Sequence, residues 1–307
     1  MSSERTRALA PDVAIPYLGF GTYLIPDGEA AAAVREAIHL GYRHIDTAEI
    51  YRNEAGVGAG IRQALESTGL SRRNIFVTTK LWPGNASRRQ APKTTESTIA
   101  SLNESLDRLE LDYVDLYLIH APFDPEQRLA QWRGLVALHE QKKARAIGVS
   151  NFSIKHIEEL RAAGLPLPHA NQIELHPWSQ KPELVDYLTQ SGIVPIAYSS
   201  LVPLSTWRSA PGHASAKTDA MKSEGQRADS TFKVLANKYG VTEAQVLLRW
   251  AIQLGYPVLP KSTNPERMRQ NADIFSFALD EGDMTAIATM DRGDGVAWAA
   301  GDPTKAS

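Results

Sequence analysis

Two residues that could perform acid chemistry stand close together in the stretch DTAEIYRNE (46–54), where Asp46 ends an apolar run and Tyr51 follows it. A phenol, with a pKa near 10, is a weak acid at neutral pH. A nearby ammonium group lowers that pKa. Lys80, held by the Asp46 carboxylate, could supply the ammonium, and His120 could hydrogen-bond a substrate oxygen beside the phenol. This set would form a proton donor aimed at an oxyanion, as carbonyl reduction requires.

A plain buried ion pair is the alternative interpretation of Asp46 and Lys80. It would explain those two residues but would leave Tyr51 and His120 without a role. The predicted strands that lead into these residues help to decide between the two interpretations.

Eight short, largely apolar runs alternate with helical patterns along the chain, and they span 17–21, 44–46, 75–80, 114–120, 144–150, 170–174, 194–199 and 257–261. Most of them lack polar alternation, which is typical of buried parallel strands. Eight βα units predict a (β/α)₈ TIM barrel, in one domain over residues 1–307. The alternative is an open, doubly wound sheet.

Three further segments carry predictions. The stretch TRALAPDVAIPY (6–17) predicts an N-terminal β-hairpin that closes the barrel bottom. Residues 201–231 form a long polar loop after the seventh barrel strand, and loops of that length are often functional lids or disordered. The glycines of GVGAG (56–60) lie in a helical pattern and lack the dinucleotide spacing, so we assign them to close helix packing.

The predicted strand ends share hydrogen-bonding or ionisable side chains, namely Asp46, Lys80, His120, Ser150, Asn151, Gln172, Tyr198 and Lys261. At a single strand, a polar end usually marks only the start of a loop. In a barrel, however, catalytic groups come from the C-terminal ends of several strands. Seven such ends facing one mouth therefore indicate an active site.

Composition sets limits on function. The chain has 307 residues, 43% of them hydrophobic and 22% charged, with net charge −2 and no cysteine. The balanced charge gives no general attraction to nucleic acid or to anionic membranes, and no apolar run reaches the ~18 residues of a membrane helix. The absence of cysteine rules out disulfides and thiolate metal sites, and it suits a cytoplasmic protein. We expect no metal site and a monomer or weak dimer.

The motifs GFGTY, GYRHIDTAEIYRNE, VTTKLW, DLYLIH, AIGVSNF, NQIELHP, AYSSL and LPKSTNPERMRQN occur in this order along nearly the whole chain. Together they resemble the aldo-keto reductase family, which consists of (β/α)₈ barrels that reduce carbonyl compounds with NADP(H). The resemblance implies that Tyr51 is the general acid, that Lys80 and Asp46 tune it, and that His120 orients a small carbonyl substrate.

The resemblance also implies an NADPH/NADP+ site. Gly21, Thr22 and Asp46 would lie near the nicotinamide ribose; Ser150, Asn151 and Gln172 would hydrogen-bond the carboxamide, and Tyr198 would stack on the ring. The remaining implied cofactor contacts are Ser199, Leu201, Lys261, Ser262, Thr263, Arg267, Gln270 and Asn271. In KSTNPERMRQN (261–271), cations, hydroxyls and a helix start would suit the adenosine 2′-phosphate. The alternative is a solvated basic helix end.

The substrate pocket departs from the family pattern, because Ala121 stands where many members carry an aromatic residue after the histidine. This predicts a pocket open to bulky carbonyl compounds. The expected pocket residues are Tyr23, Trp82, Ala121, Phe123, Phe152 and Trp298, with Trp207 as a further candidate.

Two other functions remain open at this stage. A barrel lyase could use Lys80 to form a Schiff base, but it would have no use for the segment 261–271. A non-enzymatic NADPH-binding sensor would be expected to have lost a catalytic residue, and Asp46, Tyr51, Lys80 and His120 are all present.

Overall fold

Strands and helices alternate along the chain in the computed structural model, which describes residues 5–85, 89–210, 213–293 and 295–306. The strands are β1 (Thr6–Ala10), β2 (Val13–Pro16), β3 (Phe20–Gly21), β4 (His44–Asp46), β5 (Phe76–Leu81), β6 (Val114–Ile119), β7 (Ala144–Ser150), β8 (Ala170–Glu174) and β9 (Val194–Tyr198). The helices are α1 (Asp27–His39), α2 (Glu54–Thr68), α3 (Thr95–Leu109), α4 (Arg128–Glu140), α5 (Ile154–Ala162), α6 (Pro182–Gln190), α7 (Asp219–Glu224), α8 (Thr231–Tyr239), α9 (Glu243–Gln253), α10 (Pro265–Ala272) and α11 (Glu281–Ala288).

Strands β3 to β9 form one parallel sheet in sequence order. The sheet closes through Val258, which makes parallel bridges to Leu18 before β3 and to Ala197 in β9. Backbone hydrogen bonds across this seam include Val258 N to Tyr17 O at 2.7 Å and Ala197 N to Pro257 O at 2.8 Å. The predicted (β/α)₈ barrel is confirmed.

The eighth predicted strand, 257–261, is shorter than expected and forms only these isolated bridges. Pro257 and Pro260 explain the difference, because proline has no backbone N–H to donate to a ladder.

The predicted N-terminal hairpin is present: β1 and β2 pair antiparallel across a turn in which Asp12 adopts a left-handed φ of 58°. Leu9, Val13 and Ile15 are buried in one cluster with residues of the barrel strands, including Phe76 and Leu116. Because these strand residues face the barrel interior, the hairpin packs against one end of the barrel core.

The glycines of GVGAG lie in α2 and allow neighbouring backbones to approach it closely. A Cβ on Gly56 would lie 2.3 Å from Asp27 O, and one on Gly58 would lie 2.1 Å from Leu109 O. Both contacts are shorter than van der Waals packing allows. The interpretation of these glycines as helix-packing residues is confirmed.

The polar stretch 201–231 contains α7, so it is more ordered than a simple loop. Lys217 anchors the stretch by donating from Nζ to the carbonyl oxygens of Val202 and Leu204, at 2.6 and 2.5 Å. Among the helices in the described part of the chain, none is long and apolar enough to cross a membrane.

Candidate active site

An ion pair at the C-terminal ends of β4 and β5 forms the base of the site. Lys80 Nζ lies 2.5 Å from Asp46 Oδ1 and also donates to Thr47 O at 2.8 Å, and both charged side chains are almost fully buried. Parallel pairing of β4 with β5 brings the two strand ends together. Burial lowers the pKa of Lys80, and the Asp46 carboxylate opposes that shift.

Tyr51 ends a short 3₁₀ helix over Glu49–Tyr51 that directly follows β4, and Arg52 closes it with a left-handed φ of 57°. The Tyr51 ring centroid lies 5.1 Å from Lys80 Nζ. It lies 5.6 Å from the His120 ring in an edge-to-face arrangement, at an interplanar angle of 77°. The one βα connection therefore places both Asp46 and Tyr51 against Lys80.

The expected pKa shift of Tyr51 was wrong in direction. Burial raises the pKa of Tyr51 well above its ordinary value, and Asp46 and Tyr23 add to that rise. The Asp46 carboxylate lies against the Lys80 ammonium and offsets its charge, and desolvation disfavours a phenolate. Tyr51 is therefore held as a protonated phenol.

His120 directly follows β6 and is buried beside Tyr51. Burial and the Lys80 charge lower the pKa of His120 well below its ordinary value, so the ring is neutral near pH 7. Its Nδ1 is buried and has no hydrogen-bond partner among the described residues. The backbone oxygen of His120 accepts a hydrogen bond from Asn151 Nδ2 at 3.0 Å, which fixes the strand end.

A buried amide network joins the other predicted strand ends to this base. Gln172 Nε2 donates to Asp46 Oδ2 at 2.8 Å, and Ser150 Oγ donates to Gln172 O at 2.7 Å. Asn151, at a left-handed φ of 64°, accepts from the Tyr198 hydroxyl at 2.8 Å. Gln172 Oε1 makes no hydrogen bond to any described residue, so it can accept one from a ligand.

The predicted ribose-side residues lie at the first strand end. Thr22 donates to Asp46 O from both its backbone N and its hydroxyl, each at 3.0 Å. Gly21 has a packing role of its own, because a Cβ there would come within 2.9 Å of Leu259 O. Ser199 and Leu201 are half-buried after β9, and Ser199 has a left-handed φ of 56°.

The segment 261–271 contains the start of α10 and two cations, Lys261 and Arg267, that lie near it. Asn264 caps α10 by accepting from Arg267 N at 3.0 Å, and Pro265 occupies the first turn. Within the described ranges, neither Lys261 nor Arg267 forms an ion pair, whereas Arg269 pairs with Glu266. Ser262 and Thr263 lie at the same end; Gln270 is bonded to Glu266, and Asn271 is buried.

Four aromatic rings surround Tyr51 and His120. The Tyr23 ring lies 5.0 Å from Tyr51, and the Trp82 and Trp298 rings lie 5.6 and 6.2 Å from His120. Phe123 joins the two indoles, with centroids 5.7 Å from each. These rings could form the predicted wall around a substrate. The predicted candidate Trp207 packs instead with Trp178, Val202 and Val296.

Two predicted pocket residues are fully buried, and their place in the pocket stays a prediction. Phe152 is fully buried in the main core and packs edge-to-face on His156, at 5.6 Å. Ala121 is also fully buried. Both residues lie just past the ends of β6 and β7, and Asn151 has a left-handed φ of 64°, so strand alternation does not fix where their side chains point.

Two residues of the site were missed by the sequence interpretation. Glu174, at the end of β8, is buried and accepts hydrogen bonds from Val296 N at 2.7 Å and Ala297 N at 2.9 Å. Its Oε1 also lies 2.8 Å from His176 Nε2. Glu174 showed the same signal as Asp46, an acid that ends an apolar run. Arg208 lies in the polar stretch after β9, and nothing in its local pattern marked it.

Comparisons with known proteins agree with this geometry. The sequence model of the aldo/keto reductase family matches residues 17–292. A glyoxal reductase of Bacillus subtilis is 38% identical over 297 residues, which cover 96% of each chain. The 9,11-endoperoxide prostaglandin H2 reductase of Trypanosoma cruzi is 40% identical over 276 residues, covering 90% of this chain and 87% of the relative. A crystal structure of a Bombyx mori aldo-keto reductase in complex with NADP aligns with TM-score 0.81 and 34% identity, covering 94% of each chain.

Proposed function

This chain belongs to the aldo/keto reductase family, and from that premise we propose that it reduces small aldehydes and ketones to alcohols with NADPH, reversibly, with Tyr51 as the proton donor. The observation that carries the proposal is the arrangement of Tyr51, His120 and the Lys80–Asp46 pair at one mouth of the barrel. The structure of a family member in complex with NADP supports the choice of cofactor.

Tyr51 would act as a general acid. Its raised pKa keeps the proton on the phenol at neutral pH until a stronger base forms beside it. A carbonyl oxygen becomes such a base as it gains a hydride, because an alkoxide is far more basic than a phenolate. The Lys80 ammonium, 5.1 Å from the ring, would favour the phenolate left behind, against the burial and the Asp46 charge that raise the pKa of Tyr51.

His120 would orient the carbonyl oxygen rather than supply the proton. The low pKa of the ring leaves it neutral, so one of its nitrogens can donate a hydrogen bond without carrying a full charge. The aromatic wall around it would exclude water, which strengthens hydrogen bonds to a developing oxyanion.

The residues present suit a dinucleotide phosphate cofactor. NADPH would supply the hydride when bound. Gln172 Oε1 would accept a hydrogen bond from a planar carboxamide, and Ser150, Asn151 and Tyr198, which are hydrogen-bonded to Gln172 or to one another, lie beside it. Lys261, Arg267 and the start of α10 offer positive charge to a dianion. The remaining proposed contacts are Gly21, Thr22, Ser199, Leu201, Ser262, Thr263, Gln270 and Asn271.

Both alternative functions fit the geometry less well. A Schiff-base lyase needs a free lysine, whereas Lys80 Nζ is fully buried and donates to Asp46 and Thr47. A non-enzymatic sensor would not need Tyr51 and His120 to remain in edge-to-face contact.

Steady-state oxidation of NADPH with a panel of aldehydes, ketones and dicarbonyl compounds tests this proposal. We expect turnover that depends on NADPH. It should fall strongly in a Lys80→Met variant, because methionine has a side chain of similar length but no charge. If wild type binds NADPH tightly but turns over no carbonyl compound, the sensor function is favoured. If borohydride traps a substrate on Lys80 without NADPH, the lyase function is favoured.

A further inference from the structure

Arg208 is a cation at the mouth of the site. Its guanidinium carbon lies 5.1 Å from the Tyr23 ring and 4.5 Å from the Trp207 ring. Its Nη1 donates to the carbonyl oxygens of Ala297 and Ala214. Throughout the described ranges, no carboxylate pairs with Arg208, and its Nε and Nη2 make no hydrogen bond to the protein.

The surroundings of Arg208 place it within reach of the reacting groups. Tyr23, on which it stacks, lies 5.0 Å from the Tyr51 ring. Ala297, which accepts its hydrogen bond, precedes the Trp298 of the aromatic wall. Burial raises the pKa of both Tyr51 and Tyr198, and the Arg208 charge opposes each rise, so its field reaches both phenols.

Three other cations near the mouth are already paired with carboxylates, and Lys217, 5.9 Å from the Trp207 ring, donates to two backbone carbonyl oxygens. Lys80 pairs with Asp46, Lys93 with Glu49, and Lys181 with Asp302. Arg208 is half-buried and stacks on the Tyr23 and Trp207 rings. Two of its three guanidinium nitrogens, Nε and Nη2, can therefore donate hydrogen bonds to a ligand. Its planar fork matches carboxylate and phosphate geometry.

We infer that Arg208 recognises an anionic group on the substrate, so that the enzyme prefers carbonyl compounds that also carry a carboxylate, namely short oxo acids. This rests on the proposed carbonyl reductase function and names its substrate class. The carbonyl carbon lies between Tyr51 and His120, and the carboxylate lies towards Tyr23, where the free guanidinium nitrogens receive it.

A pair of substrates that differ only in charge provides the test: 4-oxobutanoate and its methyl ester. Wild type should show a higher kcat/KM for the acid. In Arg208→Gln, kcat/KM for the acid should fall about 10-fold or more, as expected for the loss of a charge-assisted hydrogen bond, while the ester should lose far less. Arg208→Lys should restore part of the acid preference.

Arg227→Gln is the matched control, because Arg227 lies in the same polar stretch but is exposed and paired with Asp229. It should retain the acid preference of wild type. An equal loss for acid and ester in Arg208→Gln would mean that Arg208 only clamps the tail through Ala297, and would overturn the inference. A matching loss of NADPH affinity would assign Arg208 to the cofactor diphosphate, and would also overturn it.

Calorimetric binding of both compounds to the protein with NADP+ separates this inference from the proposed function. If wild type binds 4-oxobutanoate more tightly than the ester, and Arg208→Gln loses this difference, the recognition site is supported even if no reduction is detected. Equal binding of acid and ester by wild type overturns the recognition site, even if both compounds are reduced.

Discussion

Glu174 should control how firmly the C-terminal segment closes the pocket. Its buried carboxylate accepts from Val296 N, Ala297 N and His176 Nε2, and Ala297 is the residue before Trp298. Glu174→Gln keeps the size of the side chain but removes the negative charge and turns an NH₂ group towards backbone N–H donors. Weaker neutral hydrogen bonds and one unsatisfied donor should cost about 1–3 kcal/mol.

That cost should appear as local opening, because only the tail and its contacts depend on these bonds. Hydrogen exchange of a peptide covering 295–306 should become about 5- to 150-fold faster in Glu174→Gln. Glu66→Gln is the control, since Glu66 is exposed on α2. Exchange at the wild-type rate in Glu174→Gln would refute the claim that this carboxylate holds the tail.

Three further outcomes follow from the site and the core. Lys261→Ala with Arg267→Ala should weaken NADPH binding more than NADH binding, by up to about 1.5–3 kcal/mol for each contact; an unchanged preference would place the phosphate elsewhere. His44 is buried, and burial with the Lys80 charge lowers its pKa to about 3. In the unfolded chain, His44 takes up a proton below its ordinary pKa near 6.5, whereas in the folded chain it stays neutral until about pH 3. The free energy of unfolding should therefore fall as the pH drops from about 6.5 towards 3, by at most about 1.4 kcal/mol per pH unit. Urea unfolding of His44→Gln should show a shallower acid slope than wild type. Ala121→Trp should lower the melting temperature both with and without bound NADPH, because Ala121 is fully buried. A melting temperature equal to that of wild type would show that the structure has space for the indole at this position.

The parts of the fold that could be predicted from sequence are those set by local pattern. Ala30, Ala33, Val34, Ala37 and Ile38 recur at helical spacing, and all five face the core from α1. The strand ends could be predicted because parallel strands bring their C-terminal residues to one rim.

The errors came from features that depend on three-dimensional packing. The direction of the Tyr51 pKa shift depends on burial and on the distance of two opposite charges, neither of which can be read from spacing. The polar stretch 201–231 is far from Tyr23 in sequence, so the contact of Arg208 with that ring could not be predicted.

The central claim is that Tyr51 gives the proton to the reduced carbonyl, and Tyr51→Phe tests it most directly, because phenylalanine keeps the ring and its packing. Tyr17→Phe is the matched control, since the Tyr17 hydroxyl makes no hydrogen bond to the described residues. Single-turnover reduction should be measured for each protein beside NADPH titration by fluorescence. We predict a loss of about 10²–10⁴-fold in the rate of Tyr51→Phe, with NADPH affinity close to wild type. A near wild-type rate, or a loss of NADPH affinity in step with the rate, would contradict the claim.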